Sequence, residues 1–226
     1  MIGTPRVHHR LTDSTNERAK ALAEEGAVHG TLVTADEQET GRGRQGRVWS
    51  ARPGSSVLMS LILRDLDERH ELLPLAAAVA VCEAVPVDAA IKWPNDVWVE
   101  RRKLAGILVE GRPQEGWAVL GMGVNVTTHE FPPDLDETAT SLHLAGVSAT
   151  SESVLGDLLG SLSTWLSAPH DRVLAAWRSR DALKGERVRW AGGEGIAGGI
   201  DDSGALQVQT GDGPVTLEAG EVHLLR

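Results

Sequence analysis

The hydrophobic pattern divides the chain into short apolar segments separated by glycine, proline and charged residues. Alternation of apolar and polar residues is typical of half-buried strands, whereas short continuous apolar runs are typical of buried ones. The run SVLMSLIL at 56–63 is the clearest of these signals. The pattern predicts strands at 6–11, 31–37, 56–63, 90–93, 97–100, 103–110 and 117–126.

Four helices are predicted between and after these strands, at 14–25, 71–85, 151–166 and 171–180. The second is rich in alanine and leucine, as a core helix would be. Ser14 followed by Glu17 fits a capping box at the start of the first helix. The mixed stretch 127–149 is predicted to be a loop.

The pattern changes after Lys184 to short alternating runs with glycine turns, namely ERVRW, GIAGGI, ALQVQT, VTLEA and EVHLL. Such runs are typical of a small β-barrel. We therefore expect two domains, 1–182 and 183–226. The order of elements in the first predicts an α+β fold with a mixed, mostly antiparallel sheet flanked by helices.

Composition indicates an ordinary globular protein, since 41% of the 226 residues are hydrophobic and 24% are charged. Cys82 is the single cysteine, which excludes an intrachain disulfide and favours a reducing compartment. The N-terminus has no apolar signal-peptide core, and the apolar run 72–87 is too short to span a bilayer. We expect a cytoplasmic protein. A net charge of −10 disfavours binding to nucleic acid or to an anionic membrane.

Three arginines, Arg42, Arg44 and Arg47, lie in the glycine-rich segment GRGRQGR that follows a predicted strand. Glycine lets a backbone approach a ligand closely, and guanidinium groups suit carboxylate and phosphate. A solvated surface turn or an RGG-like nucleic-acid patch would have a similar composition. The position after a strand favours a site loop, which we expect to be mobile without its ligand.

A second candidate is Lys92-Trp93-Pro94-Asn95-Asp96, followed by Lys103 and Gly106. Side-chain oxygens of Asn95 and Asp96 at a strand end suit a magnesium–phosphate complex. Pro-Asn-Asp is equally a good β-turn, and taken alone that interpretation is preferred. Lys103 lies beside an apolar strand and could simply extend its amine to solvent, without any function. Gly106 within that strand indicates close approach by a ligand or another backbone segment.

A third candidate is the glycine-containing strand that ends at Asn125, GMGVN. Glycine weakens a strand unless something fits against it, although close strand packing explains it as well. Ser14, Thr15 and Asn16 at a helix N-terminus suit a polar ligand. The capping box accounts for Ser14 without any function.

Taken together, these segments resemble the biotin–protein ligase family. The matching segments are DSTN at 13–16, ADEQETGRGRQGRVW at 35–49, KWPND at 92–96, KLAGILVE at 103–110 and GMGVN at 121–125. The C-terminal part resembles that family's small domain. The resemblance implies a class II synthetase-like catalytic domain that binds biotin and ATP, and a C-terminal SH3-like β-barrel. Glu39 departs from the pattern, where a small or uncharged residue is expected.

The resemblance implies a two-step reaction in which biotin is activated as biotinyl-5′-AMP and transferred to a lysine of a biotin carboxyl carrier protein. Arg44 and Lys103 would be catalytic. The residues implied for biotin are Ser14, Thr15, Asn16, Gln38, Arg42, Gly43, Arg44, Lys103 and Gly106. Those implied for ATP or the adenylate are Arg47, Trp49, Lys92, Asn95 and Asn125, with Asp96 and Asn95 for Mg²⁺.

Family members are monomers or homodimers, and the longer ones carry an N-terminal DNA-binding module. Only thirteen residues precede Ser14, so we expect neither DNA as a partner nor a repressor role. A lipoate- or octanoate-handling relative is the alternative enzyme. A non-catalytic module that senses biotin is the alternative from another functional class.

Overall fold

The computed structural model describes residues 2–225, apart from the side chains of Arg69 and Pro113. A seven-stranded sheet forms the centre of the larger part of the chain. Its strands are β1 (Arg6–Thr12), β2 (Leu32–Gln38), β3 (Ser56–Arg64), β4 (Ala90–Lys92), β5 (Asp96–Val99), β6 (Arg102–Arg112) and β7 (Trp117–Asn125). The helices are α1 (Thr15–Glu24), α2 (Leu73–Ala84), α3 (Ser151–Trp165) and α4 (His170–Arg178). Every predicted helix and strand of this part is present, with ends that differ by a few residues.

The strand order of this sheet is β1-β2-β3-β7-β6-β5-β4. Only β1 and β2 are parallel, and every other neighbouring pair is antiparallel. The prediction of a mixed, mostly antiparallel sheet is therefore confirmed. The central strands β3 and β7 pair from Ser56↔Asn125 to Arg64↔Trp117 and are almost entirely buried. Burial on both faces explains why 56–63 reads as a continuous apolar run.

The two faces of the sheet are covered unequally. On one face, α1 packs Ala19 and Ala23 against Val33, Ile62 and Val119. On the other face, α2 and α3 pack against the sheet and form the main core, and α4 packs against α2. Because α1 is only ten residues long, it covers one end of its face and leaves the rest of that face as the floor of a cavity.

The C-terminal part forms a second sheet of five strands, β8 (Arg187–Trp190), β9 (Gly193–Ile200), β10 (Leu206–Thr210), β11 (Gly213–Leu217) and β12 (His223–Leu224). Their order is β11-β10-β9-β8-β12, and all pairs are antiparallel. Within the described residues, the outer strands β11 and β12 do not pair with each other. The sheet is therefore open, and the closed barrel expected from the pattern is not formed.

Two connections attach this second sheet to the first. The segment before it pairs with β4, where the N–H of Ile91 donates to the carbonyl of Arg180 at 2.7 Å. Trp93, which is buried, donates its indole N–H to the carbonyl of Gly204 at 3.0 Å. The two sheets thus meet beside β4 and β5.

The predicted capping box at the start of α1 is wrong. Ser14 is the N-cap, but its side chain makes no capping hydrogen bond. Glu17 instead pairs with Lys20 and with Arg42, because these cations lie beside the first turn. The loop expected at 127–149 contains neither helix nor strand, as predicted. Among the described residues, no helix has both the length and the apolar character needed to span a membrane.

Candidate functional site

A cavity of about 510 Å³ opens on the sheet face that α1 leaves uncovered. The structure brings every residue that the sequence pointed to into its wall. These are Ser14, Thr15, Asn16, Gln38, Arg42, Gly43, Arg44, Arg47, Trp49, Lys92, Asn95, Asp96, Lys103, Gly106 and Asn125. They come from five separate segments of the chain, and the strand register makes them neighbours.

Three glycines leave the floor of the cavity without side chains. Gly106 of β6 lies opposite Gly123 of β7, and Gly121 lies two residues along the same face. A Cβ on Gly121 would stand 2.0 Å from Asn16 Oδ1, and a Cβ on Gly123 would stand 2.4 Å from Trp49 Cε2. The side chains of Asn16 and Trp49 therefore lie directly on the sheet backbone.

One end of the cavity is a neutral polar pocket. The N–H and the hydroxyl of Thr15 both donate to Gln38 Oε1, at 2.7 and 3.1 Å. Ser60, fully buried on β3, donates its hydroxyl to Asn16 Oδ1 at 2.6 Å and lies 2.9 Å from Thr15 Oγ1. Amides and hydroxyls held in this way suit a polar, uncharged ligand group.

Sequence reasoning missed Ser60, because a single serine inside SVLMSLIL does not interrupt the apolar pattern. It also missed Glu110, the last residue of KLAGILVE, and Glu221 at the far end of the chain. A charged residue that ends an apolar strand was the available signal for Glu110. Glu221 carried no signal, since its proximity depends on how the second sheet packs.

The arginine-rich loop, residues 41–49, is a short hydrogen-bonded hairpin. The N–H of Trp49 donates to the carbonyl of Gly41 at 2.9 Å, and the N–H of Gly43 donates to the carbonyl of Arg47 at 2.7 Å. At its tip, Gln45 has a left-handed backbone with φ of 56°. A Cβ on Gly41 would stand 2.3 Å from the carbonyl oxygen of Trp49, so glycine is needed where the hairpin closes.

The three arginines of the loop have different partners. Arg42 bonds the carboxylates of Glu17 and Glu110, the latter at 2.9 Å. Arg47 bonds Glu221 at 2.6 Å.

Arg44 donates to the neutral amide oxygen of Asn95 at 3.2 Å. Burial lowers the pKa of the Arg44 guanidinium, opposed by the attraction of Asp96. The geometry thus makes Arg44 the loop cation best placed to accept an anionic ligand.

Two lysines extend the positive end of the cavity. Lys103 Nζ lies 2.6 Å from Asp96 Oδ1 and 5.6 Å from the ring centre of Trp49. Lys92 Nζ lies 5.2 Å from the ring centre of Trp98, and burial lowers the pKa of its ammonium. The attraction of Asp96 and Glu221 opposes that shift.

Positive charge outweighs negative charge at this end. Lys92, Lys103, Arg44 and Arg47 all line the cavity together with the carboxylates of Asp96 and Glu221. In a protein whose net charge is −10, this local excess indicates a site for a highly anionic group such as a polyphosphate.

The amides of Asn95 and Asn125 are largely occupied by the protein itself. Asn95 Nδ2 donates to the carbonyl of Ile107 at 2.7 Å, while its oxygen faces Arg44. Asn125 Nδ2 donates to the carbonyl of Thr140 at 3.0 Å. A guanidinium beside the Asn95 oxygen makes that oxygen a poor metal ligand.

Within residues 2–225, no group of three or more His, Cys, Asp or Glu side chains is arranged to hold a metal ion. Two carboxylates lie in the cation cluster, that of Asp96 beside Lys103 and that of Glu221 beside Arg47. Magnesium commonly takes one or two protein carboxylates and completes its shell with phosphate and water. Asp96 fits that requirement as a single ligand through its second oxygen, since Oδ1 lies 2.6 Å from Lys103 Nζ.

Comparison with known proteins gives two family matches. The model described as the Biotin/lipoate A/B protein ligase family matches residues 8–126. The model described as the Biotin protein ligase C terminal domain matches residues 185–225. Together they cover both sheets.

Curated relatives match along nearly the whole chain. A biotin–[acetyl-CoA-carboxylase] ligase of Mycobacterium tuberculosis is 37% identical over 95% of this chain and 87% of that protein. A bifunctional ligase/repressor BirA of Bacillus subtilis is 34% identical over 99% of this chain and 75% of that protein. Among solved structures, biotin protein ligase from Aquifex aeolicus in complex with biotin and ATP is similar, with a TM-score of 0.84 and 28% identity over 99% of both chains.

Proposed function

This chain belongs to the biotin protein ligases of the biotin/lipoate A/B protein ligase family, and we propose that it is an enzyme that joins biotin to a lysine of a biotin carboxyl carrier protein by way of biotinyl-5′-AMP. The observation that carries the proposal is one cavity with a neutral polar pocket at one end and a cation cluster at the other. Biotin has a polar, uncharged head and an anionic carboxylate, and ATP brings the triphosphate.

In the first step, a biotin carboxylate oxygen attacks the α-phosphorus of ATP, and the bond to the leaving pyrophosphate breaks. Two like unit charges about 4 Å apart repel by roughly 4 kcal/mol near a protein surface. Lys103 and Arg44 oppose this repulsion, because both cations belong to the positive end of the cavity, where the carboxylate and the α-phosphate would meet. The catalysis is mainly positioning and charge stabilisation, as in other phosphoryl chemistry.

In the second step, the neutral amine of the carrier lysine attacks the acyl carbon of the mixed anhydride. An amide bond forms, the bond from the acyl carbon to the phosphate oxygen breaks, and AMP leaves while the amine loses its proton to solvent. Residues 41–49 cover the adenylate between the steps and keep water from hydrolysing it. No side chain of the protein has to act as a covalent nucleophile.

Each candidate residue takes its part from its place in the cavity. Ser14, Thr15, Asn16 and Gln38 bind the biotin head, Gly43 and Gly106 let the ligand approach the backbone, and Trp49 and Asn125 face the adenine. Arg47 and Lys92 bind the outer phosphates. In the structure, Arg47 is paired with Glu221. Arg42 is held by two carboxylates, so its main part is to fasten the loop beside the biotin head.

Magnesium is the proposed metal, and Asp96 would be the residue of this chain that holds it. When bound, it supplies positive charge to the leaving pyrophosphate. Both ends of the Asn95 amide are already bonded, to β6 and to Arg44, so Asp96 is the better of the two candidate metal ligands.

Several features of the whole protein remain part of this proposal. We place the catalytic domain at 1–182 and an SH3-like domain at 183–226, with a cytoplasmic location and a monomer or homodimer as the active form. The net charge of −10 supports a protein that does not bind DNA.

The deciding experiment incubates the protein with ATP, magnesium, biotin and a purified carrier domain, and follows the mass of the carrier. We expect a biotinyl addition that disappears when the acceptor lysine is replaced by arginine. Pyrophosphate release that depends on lipoate or octanoate instead of biotin would support the alternative enzyme and refute the proposal. Biotin binding without any pyrophosphate release would support a sensor.

A further inference from the structure

A hydrogen-bonded bridge joins the neutral pocket to the arginine-rich loop, and Glu110 stands at its centre. Glu110 Oε2 accepts a hydrogen bond from Asn16 Nδ2, and Glu110 Oε1 accepts one from Arg42 Nη2, both at 2.9 Å. Asn16 belongs to the first turn of α1, Glu110 to β6 and Arg42 to the loop. We call these three residues the Asn16–Glu110–Arg42 bridge.

The bridge fixes how the Asn16 amide is turned. Its oxygen accepts from the buried hydroxyl of Ser60 at 2.6 Å and lies against Gly121, where no Cβ could fit. Its nitrogen is held by the carboxylate of Glu110. With a donor on one side and an acceptor on the other, only one orientation of the amide satisfies both.

Glu110 is also one of two acids that bond Arg42 of the loop. Glu17 bonds the same guanidinium through Arg42 Nη1, and Lys20 lies 2.7 Å from Glu17 and 3.7 Å from Glu110. Glu17 has no hydrogen bond to Asn16 among the contacts of the described residues. Glu110 is the less exposed acid, with 22% of its side chain accessible against 37% for Glu17.

We propose that Glu110 is a positioning residue that makes the orientation of Asn16 and the closure of the loop depend on each other. The inference rests on the proposed function, because Asn16 and the loop are its biotin-binding parts. Loss of the Glu110 charge leaves Asn16 Nδ2 with a weaker acceptor and leaves Arg42 paired with Glu17 alone. A ligand that orders Asn16 then no longer helps to close the loop.

The test compares Glu110→Gln with Glu17→Gln, which removes an equal charge from the same guanidinium but leaves Asn16 untouched. Calorimetry without ATP gives the Kd for biotin, and a chase experiment gives the rate at which the adenylate is released. We expect Glu110→Gln to weaken biotin about tenfold, the scale of one charge-assisted hydrogen bond, and to speed adenylate release. Glu17→Gln should speed release and leave the Kd for biotin within about twofold of the wild type.

An unchanged Kd for biotin in Glu110→Gln, or an equal loss in both variants, would overturn the proposal. If Glu110→Gln does not fold, Glu110→Asp carries the same expectation, because its shorter side chain does not span both partners. Arg42→Lys, made alone and together with Glu110→Gln, tests the coupling. Arg42→Lys alone should weaken biotin binding, but it should cause no further loss when Glu110→Gln is already present. Additive effects on the Kd would contradict the bridge. Wild-type protein that binds no biotin would refute the proposed function itself.

Discussion

Alternate residues of β7 determine which side chains can lie on the floor of the cavity. A side chain at position 121 or 123 would point into the cavity, so both positions are glycine. Asn16 lies on Gly121, and Trp49 lies on Gly123. The intervening Met122 points to the opposite face and is buried in the core. Adding one methyl group at either glycine should therefore weaken the binding of one substrate and leave the other unaffected.

We predict that Gly121→Ala and Gly123→Ala separate biotin binding from ATP binding. The first displaces Asn16 from β7 and should raise the KM for biotin at least tenfold, with little change for ATP, since one misplaced contact costs about that much. The second displaces Trp49 and should raise the KM for ATP instead. Steady-state pyrophosphate release with each substrate varied in turn provides the measurement, and identical effects of the two variants would contradict these assignments.

Lys103 is the residue on which the first step should depend most. Its ammonium lies beside Asp96 and Trp49, at the positive end of the cavity. Lys103→Ala should slow adenylate formation about a hundredfold or more, the usual effect of removing one electrostatic contact from a transition state. Biotin-dependent exchange of pyrophosphate into ATP measures this step. A near-normal exchange rate in a variant with an unchanged melting temperature would exclude the role.

At the scale of single residues, the sequence predicts site residues that interrupt a hydrophobic pattern. It does not predict those that lie within one. Gly106 and Gly121 interrupt strands and were visible for that reason. Ser60 lies within an apolar run, and its importance depends on the register that sets it opposite Gly121. Register joins distant segments, so local periodicity does not reveal it.

Among the elements, the arginine-rich loop is the part whose form depends most on its neighbours. Its backbone closes on itself, but each of its arginines is fastened to a different element, Arg44 to the turn that holds Asn95. The glycine and arginine composition alone did not distinguish a site loop from a surface turn. The partners of Arg42 and Arg47 could not be predicted, because Glu110 and Glu221 are distant in sequence.

We predict that Arg44→Gly releases the adenylate at least tenfold faster, since it removes the least neutralised cation of the loop and adds backbone freedom. Gln45→Gly is the matched control. Gln45 is exposed and already has a positive φ, so glycine there adds similar freedom without removing a charge. Dissociation of labelled adenylate gives the rates. Equal acceleration in both variants would assign the effect to flexibility and not to the guanidinium.

Helix α1 shows why a local motif can fail. Ser14 and Glu17 have the spacing of a capping box, yet Glu17 is bonded to Lys20 and Arg42, and Ser14 donates its N–H to Asp13 at 2.7 Å. Ion pairs with Lys20 of the same helix and with Arg42 of the loop compete with a reciprocal cap that is worth about 1 kcal/mol. The helix itself is present over Thr15–Glu24, close to the predicted 14–25, because Ala19 and Ala23 pack in the core.

On the scale of the whole molecule, the two sheets were predictable separately and their junction was not. The change of pattern after Lys184 indicates a second unit, but whether its outer strands pair depends on curvature that short alternating runs do not encode. The same limit hides the pairing of 180–182 with β4 and the contact from Trp93 to Gly204. These contacts bring Glu221 to the cavity.

The junction also contains a carboxylate whose ionisation should weaken the fold. Asp181 Oδ1 accepts a hydrogen bond from the N–H of Leu183 at 2.8 Å, whereas Oδ2 is buried and has no hydrogen-bond partner in the part of the chain that the structure describes. Burial raises the pKa of Asp181, opposed by the hydrogen bonds from the backbone of Leu183 and Lys184. The folded protein therefore holds this proton more tightly than the unfolded chain does.

Because the pKa is raised on folding, the contribution of Asp181 is most favourable below the ordinary carboxyl pKa and declines as the pH rises through the raised value. Asp181→Asn keeps the acceptor for Leu183 and carries no charge, so we predict that it raises the free energy of unfolding at pH 7 by about 1 kcal/mol. Below pH 4 the gain should disappear, since the native carboxyl is then protonated. Asp202→Asn, at a side chain that is 93% exposed, is the control and should change stability by less than about 0.5 kcal/mol. Urea unfolding of both variants across this pH range measures the difference, and a gain that does not depend on pH would show that the Asp181 charge is not its source.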